Sequence, residues 1–253
     1  MGRPKKHDTP YFGNEEQMKK AFHEHLNCVV DCFGAPYDDR EATAENASLR
    51  SVCEEFGISI PKARKLLITA GVYSTEASRR VAELSAAGSG LEEIMAQTGL
   101  SRSSVSSYLP YQKASYNMAE SSRHAADSRK YRERKKAVRH LHEQIRAGGD
   151  AEDALWQAVI AYQDYPFHTS SGLPFSYTVR QKKNGEYSGE LLVSRKESSK
   201  TLTKSSMLLA LQRVREHSSP EPPLYAGPKT IGQIFGISYI YNLFWKWKLI
   251  RVP

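Results

Sequence analysis

The chain has 253 residues, 40% of them hydrophobic, which is long enough for one or two domains with cores of their own. Lys and Arg (36) outnumber Asp and Glu (28) for a formal charge of +8, a balance that favours a polyanionic partner. No run of about eighteen apolar residues marks a transmembrane helix, no apolar run follows the basic Met1–Lys6 as in a secretory signal, and three cysteines make no disulfide framework, so the expected setting is the cytoplasm.

In chain order, residues 1–15 mix charge, Pro and Gly and read as a flexible basic arm; its Gly2-Arg3-Pro4 resembles the core of AT-hook peptides, which lie in the minor groove. Residues 16–117 read as a helical domain. Met18, Phe22, Leu26 and Val29 recur at helical spacing up to Cys32. Two helix–turn–helix patterns come next, at 48–72 and 76–111. In the first, Val52, Cys53 and Phe56 form one apolar face, Gly57-Ile58-Ser59 is the turn, and the second helix carries Pro61 in its first turn, where a missing N–H costs nothing. Ala63, Leu66 and Leu67 point that helix inward, and Lys62, Arg64 and Lys65 project from its other face as candidate DNA contacts.

The second pattern is the clearer one. Val81 and Leu84 face inward on a helix that stops before Gly88, and Leu91, Ile94 and Met95 line the next. Gly99-Leu100-Ser101 then makes a tight turn in which Gly supplies a left-handed backbone and Ser101 caps the third helix. That third helix keeps Val105 and Leu109 for the core; Arg102, Ser103, Ser104, Ser106, Ser107 and Tyr108 are otherwise small and polar, apart from the arginine and the tyrosine. Short side chains of that kind let a helix enter a major groove about 12 Å wide and meet base edges and phosphates. Thr98 to Leu109, with Arg79 to Leu84 and Leu91 to Ile94 before it, resembles the three-helix DNA-binding domains of resolvases and invertases and of sigma-factor region 4. More loosely, 48–140 resembles helix–turn–helix proteins of Firmicutes mobile elements. The resemblance implies DNA binding, with Ser101 to Tyr108 in the groove; Lys113 is a further candidate DNA contact. Nothing resembles a resolvase catalytic core or sigma region 2, so neither recombination nor promoter melting is implied.

Residues 118–149 read as a basic linker helix ending at Gly148-Gly149. Arg129, Lys130, Arg132, Arg134, Lys135, Lys136 and Arg139 wrap around it and leave Tyr131, Ala137, Val138 and Leu141 for packing; laid along a duplex, such a helix would neutralise several phosphates. Residues 150–253 read as a small α+β domain. A helix at 151–163 precedes two alternating runs, Phe175–Val179 and Tyr187–Val193, joined by Lys182-Lys183-Asn184-Gly185, a strong hairpin signal. Leu202–His217 reads as a helix capped by Thr203, and the aromatic tail around Tyr239, Phe244 and Trp247 serves either as core or as a dimer surface.

His23, His25, Cys28 and Cys32 lie within ten residues of one another but lack a second ligand pair, so no zinc site is expected. No catalytic motif is present, and neither an enzyme nor a cofactor is expected. The reading is a mainly α protein with tandem helix–turn–helix units, a basic helix and a C-terminal α+β domain containing a β-hairpin. Its expected function is sequence-specific binding of double-stranded DNA as a bacterial transcriptional regulator, with a sigma-like unit and a mobile-element setting. The alternatives are a DNA-packaging or assembly adaptor of small-terminase type, or a protein–protein interaction module; each allows a homo-oligomer, and none needs a membrane.

Overall fold

The computed structural model describes residues 15–34, 44–114, 116–194, 199–217 and 221–253, and of 44–48 the backbone alone. Of the expected basic arm at 1–15, residues 1–14, with the Gly-Arg-Pro, lie outside the described residues, and Glu15 opens the first helix. The described chain is mainly α-helical, with ten helices and a four-stranded antiparallel sheet confined to the C-terminal part. It divides into two compact units, 1–132 and 133–253.

In the first unit, α1 (Glu15–Phe33) buries Phe22, His25, Leu26, Val29 and Cys32, the stripe that a 3.6-residue period puts on one side. α2 (Ala44–Phe56) adds Leu49, Val52 and Phe56, and α3 (Ile60–Thr69) adds Ala63, Leu66 and Leu67 to the same core. Pro61 sits in the first turn of α3, where the helix makes no use of its nitrogen. α4 (Glu76–Ala86) opens on a reciprocal cap: the Thr75 hydroxyl accepts from the Ser78 N–H at 3.1 Å, and the Ser78 hydroxyl accepts from the Thr75 N–H at 2.7 Å. α5 (Leu91–Thr98) ends at Gly99 in the left-handed conformation, φ 68°. α6 (Arg102–Tyr108) begins three residues later. Val81, Leu84, Ile94 and Val105 from these three helices make a second, smaller core, with Leu91, Met95, Leu100 and Leu109 around it.

α7 (Met118–Arg146) is one unbroken helix of 29 residues. The chain's division falls inside it, after Arg132; the Gly148-Gly149 pair, where the sequence places the boundary, only ends the helix and belongs to the second unit. The helix is also less of a solvated linker than its charge suggests, because Ser121, His124, Ser128, Arg134 and Leu141 are buried along its length.

In the second unit, α8 (Glu152–Ala161) precedes β1 (Phe167–His168), β2 (Pro174–Gln181), β3 (Tyr187–Ser194) and β4 (Ser199–Thr203), which pair antiparallel in that order. The β2–β3 hairpin is the one expected. Its turn is a tight one in which the Gly185 N–H donates to the Lys182 carbonyl and Gly185 takes φ 83°. β4 departs from the expected helix at 202. Leu202 pairs with Leu191 as a strand residue, and the Thr203 hydroxyl caps α9 (Lys204–Glu216) by accepting from the Ser206 N–H at 3.3 Å. Phe175, Tyr177, Val179, Leu191, Val193 and Leu202 form the inner sheet face and pack with α8, α9 and α10 (Ile237–Lys246). Tyr239, Tyr241, Phe244 and Trp247 of the aromatic tail are buried in this core, whereas Phe235 is 63% exposed.

Candidate nucleic-acid interface

The exposed polar end of α6 is built by its turn. The left-handed Gly99 reverses the chain, and the Ser101 hydroxyl accepts from the Ser104 N–H at 3.2 Å, satisfying one of the N–H groups a helix start leaves open. The Ser101 hydroxyl lies 3.1 Å from that of Ser103 and 2.9 Å from that of Ser104, so the three hydroxyls form a local chain. Val105 points inward, fully buried. Ser101, Arg102, Ser103 and Ser106 are exposed, and the last three share one side of the helix at i, i+1 and i+4. Ser104 is half-buried.

Arg102 Nη1 lies 3.3 Å from Glu92 Oε1 of α5, a partner that linear spacing does not reveal. Both side chains are more than 70% exposed, so the pair holds little energy and leaves the guanidinium easy to recruit by a phosphate.

Two residues expected on this surface are not there. Ser107 is buried, with its hydroxyl donating to the Ser104 carbonyl at 2.8 Å. Tyr108 is half-buried, and the guanidinium carbon of Arg64 stands 4.9 Å from its ring centroid. That contact also reassigns the cations of α3. Lys65 Nζ donates to the Ser106 carbonyl at 3.0 Å and lies 4.9 Å from the Tyr111 ring centroid, and burial pushes its ammonium pKa down. Arg64 and Lys65 therefore clamp α6 and the segment after it to α3 through cation–π contacts and a carbonyl. They do not form a separate groove-facing array. Lys62 is half-buried, and its charge is felt by His25 and His124. Lys113 is exposed.

The cations of α7 are divided in the same way. Arg129, Lys130, Lys135, Lys136 and Arg139 are exposed, and Arg132 is exposed with Nη2 donating to Glu24 Oε2 at 2.9 Å. Arg134 is 8% exposed: its guanidinium carbon lies 5.6 Å from the Tyr162 ring centroid and 4.9 Å from that of Tyr165, while Nε donates to the Ala161 carbonyl. It packs as a flat cationic plate in the core of the second unit and is not on the surface.

The His–Cys cluster of α1 also separates. His23 is exposed, His25 is buried against His124, and Cys32 lies 3.7 Å from the Ser51 hydroxyl. Among the described residues no group of three His, Cys, Asp or Glu side chains is placed to hold a metal, and no helix is long and apolar enough to cross a membrane. No family model, no curated protein and no solved structure matches the chain.

Proposed function

We propose that the chain binds double-stranded DNA with sequence preference through α6, used as the recognition helix of a helix–turn–helix unit formed by α4, α5 and α6. The observation that carries this reading is the exposure of Arg102, Ser103 and Ser106 together on a short, capped helix set by a left-handed glycine turn. Side chains of that size keep the helix backbone close to base edges, and a guanidinium makes the bidentate contact to guanine that most often specifies a base. The exposed cations of α7 add phosphate contacts that fix orientation and carry no sequence information. Groove contact is assigned to α6 and not to α3, because two of the three cations of α3 are engaged with α6 and Tyr111. The resemblance of Thr98–Leu109 to resolvase and sigma-factor domains favours regulation of transcription as the role.

Selection of bound fragments from a random duplex pool, with fluorescence anisotropy on the winners, tests this. The replacement Arg102→Ala with Ser103→Ala is expected to flatten the base preference by about 1–3 kcal/mol per lost contact. Charge reversal at Lys135 and Lys136 is expected to weaken every sequence alike and to lower the salt dependence. An unchanged preference in the α6 variant would remove α6 from the groove.

A further inference from the structure

Past α6 the chain enters α7 through a segment whose backbone is pinned while its apolar side chains are left outside. Asn117 caps α7: its Oδ1 accepts from the Glu120 N–H at 2.8 Å, and the Glu120 carboxylate accepts from the Tyr116 N–H at 3.3 Å. Tyr116 thus stands just before the cap and Met118 at the first helical position. A hydrophobic residue before a cap ordinarily packs on the fourth residue of its helix. Here that residue is Ser121, fully buried and bonded back to the Asn117 carbonyl, too small and polar to hold a ring. The Tyr116 ring meets the Tyr111 ring edge-on, centroids 6.2 Å apart, and stays 58% exposed, and Met118 is 48% exposed. Among the described residues of the first unit, no other large hydrophobic side chain is as exposed as these two.

We infer that Tyr116 and Met118 form an apolar wedge that enters the minor groove of the duplex and parts a base step, resting on the reading of α6 as the recognition helix and adding a second contact beside it. Position favours this occupant. Three steps link the α6 backbone to the wedge: 3.0 Å from the Ser106 carbonyl to Lys65 Nζ, 4.9 Å from there to the Tyr111 ring, and 6.2 Å on to the Tyr116 ring. A major groove about 12 Å wide puts its sugar–phosphate walls about 6 Å from the axis of a helix lying in it, so side chains with that reach can pass the wall to the adjoining minor groove. Charge favours it too. Between 111 and 123 the cations Lys113 and Arg123 are exposed, and neither has an ion-pair partner among the described residues. The one carboxylate of that stretch, Glu120, is engaged by the Tyr116 N–H, and Lys65 adds a third cation over Tyr111. A ring and a thioether flanked by cations suit an opened base step between phosphates, where the ring stacks on a base and the cations hold the backbone. A two-fold contact with a second copy would instead set these cations against their own counterparts.

The test uses the full chain, with a labelled random-sequence duplex for binding and a closed circular plasmid for unwinding. A wedge that parts base steps unwinds the duplex, so a plasmid relaxed by topoisomerase with the protein bound is expected to hold negative supercoils once the protein is stripped away. Tyr116→Ser with Met118→Ser is expected to abolish those supercoils and to weaken binding about tenfold, with the salt dependence unchanged because no charge is lost. Leu173→Ser with Phe235→Ser, exposed apolar positions of the second unit, is expected to change binding by less than about twofold. On the unaltered protein, hydroxyl-radical footprinting read by mass spectrometry is expected to show Tyr116 and Met118 shielded by duplex while Leu173 and Phe235 keep reacting; this holds the inference open to refutation even if the serine variant misfolds. If the α6 variant loses preference while the Tyr116/Met118 variant binds and unwinds like its control, the inference falls and the α6 reading survives. If the α6 variant keeps its preference while the Tyr116/Met118 variant loses unwinding and affinity, the inference stands and the α6 reading falls. Shielding of Tyr116 and Met118 by rising protein concentration without DNA would assign the surface to a second copy and overturn the inference. If the unaltered protein does not bind duplex at all, both fall.

Discussion

At the scale of single residues, glycines in the same backbone region differ in what surrounds them. Gly99 and Gly236 both have positive φ, 68° and 74°. A Cβ on Gly99 would meet nothing within 4 Å, so Gly99→Ala costs only the left-handed backbone, about 1 kcal/mol. A Cβ on Gly236 would fall into the side chain of Leu202, 3.2 Å from its Cγ and closer still to Cδ2, and Leu202 is itself only 1% exposed on β4. The glycine is what lets α10 start against the sheet. Gly236→Ala is therefore expected to cost about 2–4 kcal/mol by combining overpacking with backbone strain. Urea unfolding checks this: the midpoint should fall with the slope unchanged, and by more than for Gly99→Ala. Equal small shifts for both would mean that Leu202 has room to move.

At the scale of elements, the informative one is the N-terminal half of α7. His124 stacks on His25 of α1, with ring centroids 4.4 Å apart and planes within 11°. Both rings are almost fully buried, and the ring nitrogens His25 Nδ1, His124 Nδ1 and His124 Nε2 have no hydrogen-bond partner. Around them, Tyr131 donates to Asp31 at 2.6 Å, and Arg132 to Glu24 at 2.9 Å. Burial above all, with the mutual proximity of the rings and the charge of Lys62, lowers His25 to about 3. Burial above all, opposed by the nearby Glu120 carboxylate and aided by Lys62 and Arg123, lowers His124 to about 4. Both are thus neutral in the folded chain, while the unfolded chain protonates them below their ordinary value of about 6.5. The stabilisation is present above pH 6.5 and is lost as pH falls toward the folded values. Thermal melts between pH 6.5 and 5, before most carboxylates titrate, should show a steady fall in Tm, and His124→Leu should flatten that slope.

This seam also shows where the sequence stops being legible. The recurrence of Phe22, Leu26 and Val29, of Leu66 and Leu67, and of Val81, Leu84 and Ile94 can be read directly as buried faces, because apolar side chains at helical spacing have one energetic reason to be there. The hairpin can be read from Asn184-Gly185 for the same kind of reason. The buried positions of α7 include Ser121, His124, Ser128 and Arg134, residues that hydropathy assigns to water; small hydroxyls that bond to backbone carbonyls one turn back, a neutral imidazole stack and, in the second unit, an arginine lying on tyrosines make them packing positions only in three dimensions. β4 escapes a reading by pattern because Ser199–Thr203 is short and polar on its outer side, so Leu202 alone marks its buried face. At the candidate interface, the exposure of Arg102, Ser103 and Ser106 is legible from the turn and the apolar positions around them. The burial of Ser107 and the engagement of Arg64 and Lys65 depend on α3 lying against α6, which no spacing within either segment encodes.

At the scale of the whole molecule, the apolar cores are disjoint. The cluster around Phe22, Val52 and Leu66 and the one around Val81, Ile94 and Val105 draw only on residues before 133, and the cluster around Leu155, Tyr177, Phe244 and Trp247 only on residues after it. Cooperativity in unfolding comes from shared contacts: within the first unit Arg64 and Lys65 of α3 tie the two clusters together through Tyr108 and the Ser106 carbonyl, whereas the clusters on either side of residue 132 have no member in common, so the two units give separable transitions. The pH change and the Gly236 substitution act on different sides of the division, His25 and His124 in the first unit and Gly236 in the second. Calorimetry of the full chain is therefore expected to resolve two transitions. Lowering pH from 6.5 to 5 should move the one that Gly236→Ala leaves in place, and Gly236→Ala should move the other. Both perturbations acting on one and the same transition would mean that the two units unfold as one.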